Sequence, residues 1–251
     1  MQQIYPHVRI LGLALVVDYQ KTNKALILAD LHIGYEEALN KQGVLVPRFQ
    51  FRVMEGVLKR LLKNRRFDSV VINGDLKHEF GSISDQEWRE TLSILDTLAG
   101  HSDQIVLVKG NHDTLLGPIA NKKRVMVKDF LMLDKMLIVH GHRLPGDIGC
   151  KAFVPKAEAI IIAHEHPAIK IRAGSRQERY KCFLKGSWDA KPLIVMPSFN
   201  PLYEGSDILA ESLLSPYLSA STIPGFEVYV VPDDSMEALY FGRVKDLLRE
   251  N

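Results

Sequence analysis

Cysteine is nearly absent from this 251-residue chain, which holds only Cys150 and Cys182. Two thiols cannot build the dense disulfide framework of a small secreted domain, and their spacing matches neither a C-x-x-C redox motif nor a zinc knuckle. A reducing, cytoplasmic setting is therefore expected. Net charge is nearly absent too: 32 Lys and Arg against 30 Asp and Glu leave +2. That balance carries no whole-chain sign of an avid nucleic-acid or membrane binder. Long apolar runs are missing as well. The earliest, residues 10–17, follows Arg9 and runs into Asp18 without an A-x-A site. It falls far short of the roughly 18 residues of a membrane span and reads as a buried strand rather than a secretory signal. Repeats and low-complexity stretches are not visible.

What remains is an ordinary globular composition, 46% hydrophobic and 25% charged, which excludes disorder, collagen and coiled coil as readings of the whole chain. At about 150 residues per domain the length allows one or two. No linker divides it, so a single domain over residues 1–251 is expected. Short apolar runs alternate with amphipathic stretches for the first two thirds, as in βαβ units around a buried sheet. Strands are predicted at 10–18, 25–29, 69–73, 104–108, 136–139, 159–163, 180–184, 192–196, 226–231 and 238–241, with a hairpin turn at 21–24. Helices are predicted from Pro47 through Leu62, over 83–99 and over 243–249. From Arg124 onward strands dominate, which points to a second, partly antiparallel sheet packed on the first.

The polar residues cluster just past the ends of these runs. Leu26-Ile27-Leu28-Ala29 leads into Asp30-Leu31-His32, and Val70-Val71-Ile72-Asn73 into Gly74-Asp75. Val106-Leu107-Val108-Lys109 leads into Gly110-Asn111-His112-Asp113. Leu137-Ile138-Val139 leads into His140-Gly141-His142, and Ile160-Ile161-Ile162-Ala163 into His164-Glu165-His166. Open α/β sheets bind ligands at the carboxyl ends of their strands, so five segments can deliver these groups to one crevice. Oxygen and imidazole donors without thiolate suit divalent transition metals better than calcium or structural zinc. Seven donors are too many for one ion. They fit two ions about 3.5–4 Å apart sharing a carboxylate, an arrangement that activates water for attack on phosphorus.

The order Asp-x-His, Gly-Asp, Gly-Asn-His-Asp, His-Gly-His, His-x-His over residues 25–166 resembles the calcineurin-like binuclear metallophosphoesterase superfamily. The tail Met196-Pro197-Ser198-Phe199-Asn200-Pro201-Leu202, with Gly205 and Asp207, is similar to its archaeal and ligase-associated branch. The resemblance implies an α/β fold, a four-layer αββα sandwich of two mixed sheets flanked by helices. It implies one metal on Asp30, His32, His166 and a bridging Asp75, and a second on Asp75, Asn111, His140 and His164. His112 would be the catalytic donor to a phosphoryl or leaving-group oxygen, oriented by Asp113. Two departures stand out. Ala163 replaces the usual Gly, and Glu165 fills a place often small and polar; both are expected to narrow the approach to the metals.

Other readings compete residue by residue. Taken singly, a histidine is more often structural than a ligand, and Asp30 and Asp75 could be turn or cap residues. His142 is assigned to the substrate cleft or the layer behind the ligands, with a plain surface role as the alternative, and His78 to the cleft or merely the turn after Asp75. His7 and His101 read as surface residues. Lys59, Arg60, Lys63, Arg65 and Arg66 complement a helix C-terminus. Six basic residues and one acidic lie between Lys170 and Lys185, either a nucleic-acid contact or an edge strand protected by charge.

The expected function is metal-dependent hydrolysis of phosphodiester bonds, as a nuclease or nucleotide phosphodiesterase, by a metal-bridging hydroxide. The alternatives are a phosphomonoesterase or nucleotide phosphatase, and a non-catalytic assembly subunit on the same fold. Manganese is the first choice of metal, with iron, zinc or nickel as alternatives, and activity is expected to fall below about pH 6 as ligand histidines protonate. The partner is a phosphoester, with nucleic acid or a nucleotide as candidates and no membrane. A homodimer is open, and a link to DNA repair proteins follows only from the branch resemblance.

Overall fold

The computed structural model describes residues 1–46, 49–79, 83–114, 117–173, 176–233 and 235–250. Its first sheet runs in space β1 (Gln2–Tyr5), β2 (Val8–Leu11), β3 (Ala14–Tyr19), β4 (Asn23–Ala29), β5 (Phe67–Asn73), β6 (Ser102–Val108), β7 (Met126–Lys128). Neighbours are antiparallel as far as β4 and parallel from β4 to β7. The connections dictate that change. Short turns join the first four strands, whereas α1 (Tyr35–Lys41) and α2 (Gln50–Leu62), α3 (Asp85–Ala99) and α4 (Gly117–Lys123) carry the chain between the parallel ones, which need a crossover.

The second sheet holds β8 (Leu131–Leu133), β9 (Met136–Ile138), β10 (Ala159–Ile162), β11 (Pro167–Ala173), β12 (Arg176–Trp188), β13 (Lys191–Val195), β14 (Ser206–Asp207), β15 (Glu227–Val230) and β16 (Leu239–Arg243). Its spatial order is β14-β11-β12-β13-β10-β9-β8, with β15 on β12 and β16 on β15. β9, β10 and β13 are mutually parallel, and most other pairs antiparallel. The chain ends in α5 (Val244–Glu250).

Strand alternation sorts the side chains into layers. In β4, Ala25, Ile27 and Ala29 face the second sheet, while Leu26 and Leu28 face the helices. In β10, Ala159 and Ile161 face the first sheet, and Ile160 and Ile162 face outward. Met54, Leu58, Leu61 and Leu62 of α2 and Ile94, Leu95 and Leu98 of α3 cover the first sheet. The outer face of the second is covered by a short 3-10 helix, Lys151–Lys156, by Val244 of α5, and by Ile208, Tyr217 and Leu218 from an irregular segment. The four expected layers are present, the fourth thin in helix.

Two local expectations need correction. The strand predicted over 10–18 is a hairpin, because Gly12 sits at φ 57° and with Leu13 forms a two-residue turn between Leu11 and Ala14. The second helix starts at Asp85, not residue 83: the Ser84 hydroxyl accepts from the Glu87 N–H at 3.1 Å and caps it. Pro47, expected to open α2, lies outside the described residues. Among those residues no helix is long and apolar enough to cross a membrane. Ile161 is fully buried between the sheets. Ile161→Ala is expected to cost about 2–5 kcal/mol, seen as a lower urea midpoint at unchanged m value.

Candidate metal centre

Each sequence-predicted site residue lies past the C-terminal end of a parallel strand. Asp30 and His32 follow β4; Asp75 and His78 follow β5; Asn111, His112 and Asp113 follow β6. His140 and His142 follow β9, and His164 and His166 follow β10. Asp30, His32, Asp75, His164 and His166 all adopt left-handed backbone, at φ 43–65°. Such conformations are uncommon outside glycine, although Asp and His tolerate them best. In Asp30-x-His32 and His164-x-His166 alternate residues take this turn, so the same backbone device occurs once on each sheet.

The turns are tied together across the layers. The His164 N–H donates to Asp30 Oδ2 at 3.0 Å, and the His112 N–H to Asp75 Oδ1 at 2.9 Å. The Asp30 carbonyl accepts from the Ser198 hydroxyl at 2.7 Å. The His32 carbonyl accepts from the side-chain amides of Gln50 at 3.0 Å and Asn200 at 3.3 Å. Two glycines make the approach feasible. A Cβ on Gly74 would lie 1.9 Å from His140 Nδ1, and one on Gly110 2.0 Å from Asp75 Oδ1.

Ligand-type atoms gather in two groups, each within 4.8 Å: Asp30 with His32 and His166, and Asp75 with His140 and His164. Asn111 Oδ1 lies 3.1 Å from His140 Nε2. A third group joins His32, His78 and His112. Among the described residues, both ring nitrogens of His32 and of His166, and Oδ1 of Asp30, are buried without a hydrogen-bond partner. Buried polar atoms are normally paired, so these five fit a place that cations complete. Their mixed oxygen and imidazole chemistry suits divalent transition metals.

Electrostatics agree. Burial disfavours ionised Asp30, yet His166 and His140 beside it outweigh that effect and hold its carboxyl below the ordinary value. Asp75 is lowered in the same way, by His140 above all. Burial opposes a charged His140, but Asp75 and then Asp30 raise it to about 9. His32 and His164 go the other way, to about 3 and about 4, through burial and like-charged neighbours, His166 and His140 respectively. In the metal-free protein the ligand-type histidines are therefore split, His140 pushed up by its carboxylate neighbours and His32 and His164 pushed down.

Several details differ from expectation. Asp113 does not orient the His112 ring; its carboxylate accepts from the backbone N–H groups of Gly110 at 2.9 Å and Leu76 at 3.1 Å, fixing the loop. The ring is set by the His78 carbonyl, 2.5 Å from His112 Nδ1, and by stacking on His78 at 5.2 Å between centroids. Ala163 packs between the sheets, and Glu165 turns away to accept from the N–H groups of Leu214 and Ser215 at 2.9 and 2.8 Å. Neither narrows the approach. In the basic stretch, Arg179 pairs with Glu211, Lys185 with Glu227, and Lys170 with Asp207. Lys181 turns inward and donates to the Ser198 and Asn200 carbonyls. The side chains of Arg172 and Arg176 lie outside the described set. His7 is an exposed turn residue at φ 65°, and His101 contacts the Arg65 carbonyl at 3.0 Å.

Sequence reasoning missed Tyr35 and Tyr203. Tyr203 lies 4.6 Å from the His166 ring and 5.8 Å from His32, and Tyr35 lies 4.8 Å from His78. Neither tyrosine sits in a strand-end motif that would have marked it. It also missed Lys181, Gln50 and Arg143.

Among families of known proteins, the model described as calcineurin-like phosphoesterase matches residues 24–168. No curated protein matches the sequence. Among solved structures, the nuclease MPE of Pseudomonas putida superposes with TM-score 0.57 at 18% identity, covering 93% of this chain and 100% of that one. Vps29 of Entamoeba histolytica complexed with Zn2+ gives 0.39 at 17%, over 87% and 98%. Yfce, a phosphoesterase from E. coli, gives 0.33 at 11%, over 87% and 98%.

Two outcomes follow from the geometry. Gly74→Ala is expected to displace His140 and weaken divalent-metal binding about 10–100-fold, measurable by titration calorimetry with circular dichroism as the check on folding. Because His140 holds its proton up to about 9, metal uptake at pH 7 is expected to release about one proton from this residue, and apparent affinity to rise with pH until about 9. Calorimetry in buffers of different ionisation enthalpy measures that proton.

Proposed function

Because the chain belongs to the calcineurin-like phosphoesterase family, and is on that ground a metal-dependent phosphoesterase, we propose that it hydrolyses phosphodiester bonds, in nucleic acid or a nucleotide, at a centre of two divalent ions. The observation that carries the reading is the position of Asp75. Its Oδ2 lies 3.4 Å from His140 Nε2, 3.8 Å from His32 Nε2 and 4.0 Å from His112 Nε2. One buried carboxylate is thus common to both ligand groups and to the candidate catalytic histidine.

We assign Asp30, His32, His166 and Asp75 to one ion, and Asp75, Asn111, His140 and His164 to the other. Asn111 contributes an oxygen without adding charge, which keeps the centre attractive to a phosphoryl group. Divalent ions bound there polarise the phosphoryl group and lower the pKa of water; manganese is the first choice for this donor set. His112 is the donor to a phosphoryl or leaving-group oxygen. A carbonyl only accepts, so His112 Nδ1–H donates to the His78 carbonyl and Nε2 faces Asp75, where it acts as the donor in the doubly protonated ring. Ser198, Asn200 and Gln50 hold the Asp30 and His32 backbone, and Asp113 holds the loop that carries Asn111 and His112. Cys150 and Cys182 are buried and free, and burial raises both thiols, which supports a reducing compartment such as the cytoplasm.

The test is hydrolysis of bis-p-nitrophenyl phosphate beside p-nitrophenyl phosphate by chelated protein given back manganese. Diester cleavage lost on chelation and in Asp75→Asn is the expected result. His112→Ala is expected to keep its metal and lose about 10²–10⁴-fold in kcat. Cleavage of the monoester alone would replace the diester reading with a phosphatase. No cleavage of either by metal-loaded protein would favour an assembly subunit.

A further inference from the structure

Beside the Asn111 side of the centre lies a cavity of about 510 Å3, lined by Asn111, His142, Arg143, Lys109 and Asp129 among others. It exceeds the roughly 300 Å3 at which ligand pockets begin. Lys109 is neutralised by Asp129 at 3.2 Å across this lining. Arg143 is not: among the described residues no carboxylate lies within ion-pair distance of it, although Asp147 shares the same cavity. What holds Arg143 is a histidine. Its Nε donates to His142 Nε2 at 3.0 Å, and the His142 ring lies 5.1 Å from that of His140 and 6.0 Å from that of His164.

This bond has two effects. Arg Nε–H only donates, so His142 Nε2 is the accepting nitrogen and His142 is locked as the prop of the guanidinium. The bond engages Nε and leaves the two terminal nitrogens, on a side chain that lines the cavity, as a planar pair of donors matched to phosphate oxygens. Arg143 thus lines the same cavity as Asn111, held there through His142, whose ring neighbours His140 and His164.

We propose that Arg143, propped by His142, binds a second phosphate adjacent to the scissile one, so that the preferred substrates carry two neighbouring phosphates rather than one. The assignment rests on the hydrolytic reading above for where the scissile phosphate lies. Arg143 is then a specificity-determining residue and His142 its positioning residue.

Three esters of one chemistry test it: bis-p-nitrophenyl phosphate, with one phosphate; dithymidylate with a terminal phosphate; and the p-nitrophenyl ester of thymidine diphosphate. Arg143→Ala is expected to raise KM at least about tenfold more for a two-phosphate substrate than for the first, as loss of a charged hydrogen-bonded contact implies. Whichever of the two is affected more identifies the source of the second phosphate. Equal factors on all three would overturn the assignment. A readout apart from turnover is fluorescence anisotropy of labelled oligothymidylate against salt. Removing one phosphate contact flattens the log–log slope by about 0.7 for a single strand, and Arg143→Lys is expected to restore the slope but not the full affinity. An unchanged slope in Arg143→Ala, together with unaltered relative KM, refutes the clamp while leaving diester hydrolysis standing. Arg143-dependent binding by a protein that cleaves no diester refutes the hydrolytic reading while leaving the clamp standing.

Discussion

Everything at the centre depends on how closely the carboxyl edges of the two sheets approach each other. Asp30 and Asp75 leave the first sheet and His140, His164 and His166 leave the second, and they meet only because Gly74 and Gly110 have no side chains where His140 and Asp75 must lie. The approach is fastened by backbone. The His164 N–H reaches the Asp30 carboxylate, and the Asn73 side-chain amide donates to the Val139 backbone carbonyl at 3.1 Å. The interlayer core of small and branched side chains, Ala25, Ala29, Val71, Ile161 and Ala163 among them, sets the spacing on which those bonds rely.

The second constraint is charge. Two carboxylates that are almost wholly excluded from water, Asp30 and Asp75, are each opposed in their ionised form by burial, Asp30 by the charge of Asp75 as well, and remain ionised only because imidazoles surround them. Burying like charges in this way costs several kcal/mol unless opposite charge is supplied. In the metal-free protein His140 supplies part of it by holding a proton. Divalent cations held there would supply more, which would give a physical reason for a fold to tolerate such a cluster and for the left-handed backbone at five of its residues, strain of the kind that concentrates at functional sites.

Much of this was legible in the sequence, for a definite reason. A buried parallel strand is a continuous apolar run, so the polar residue that ends it is conspicuous, and Asp30, Asp75, Asn111, His140 and His164 are each such residues. The broken strand at Gly12 was not legible, because apolar residues flank the turn on both sides. Nor were the second contacts. Asp113 and Glu165 sit beside ligands in sequence, but their carboxylates serve backbone N–H groups that tertiary packing brings to them. Lys181 lies in a basic run that reads as surface, yet its ammonium is buried beneath Ser198 and Asn200, and burial lowers it to about 7. A charge pattern shows that a residue is cationic, not which way it points.

The span of chain that the centre draws together has a consequence for synthesis. Its donors run from Asp30 to His166, and the struts beneath Asp30 and His32 come later still, from Ser198 and Asn200. A chain emerging from the ribosome completes β4, β5 and β6 of its first sheet by residue 108. At that point Asp30 and Asp75 have been made, but none of the imidazoles that follow strands of the second sheet. Long-range closure comes last and slowest. Both ligand-type groups stay incomplete until His164 and His166 have been made, so the centre is assembled only after more than half of the chain has left the ribosome.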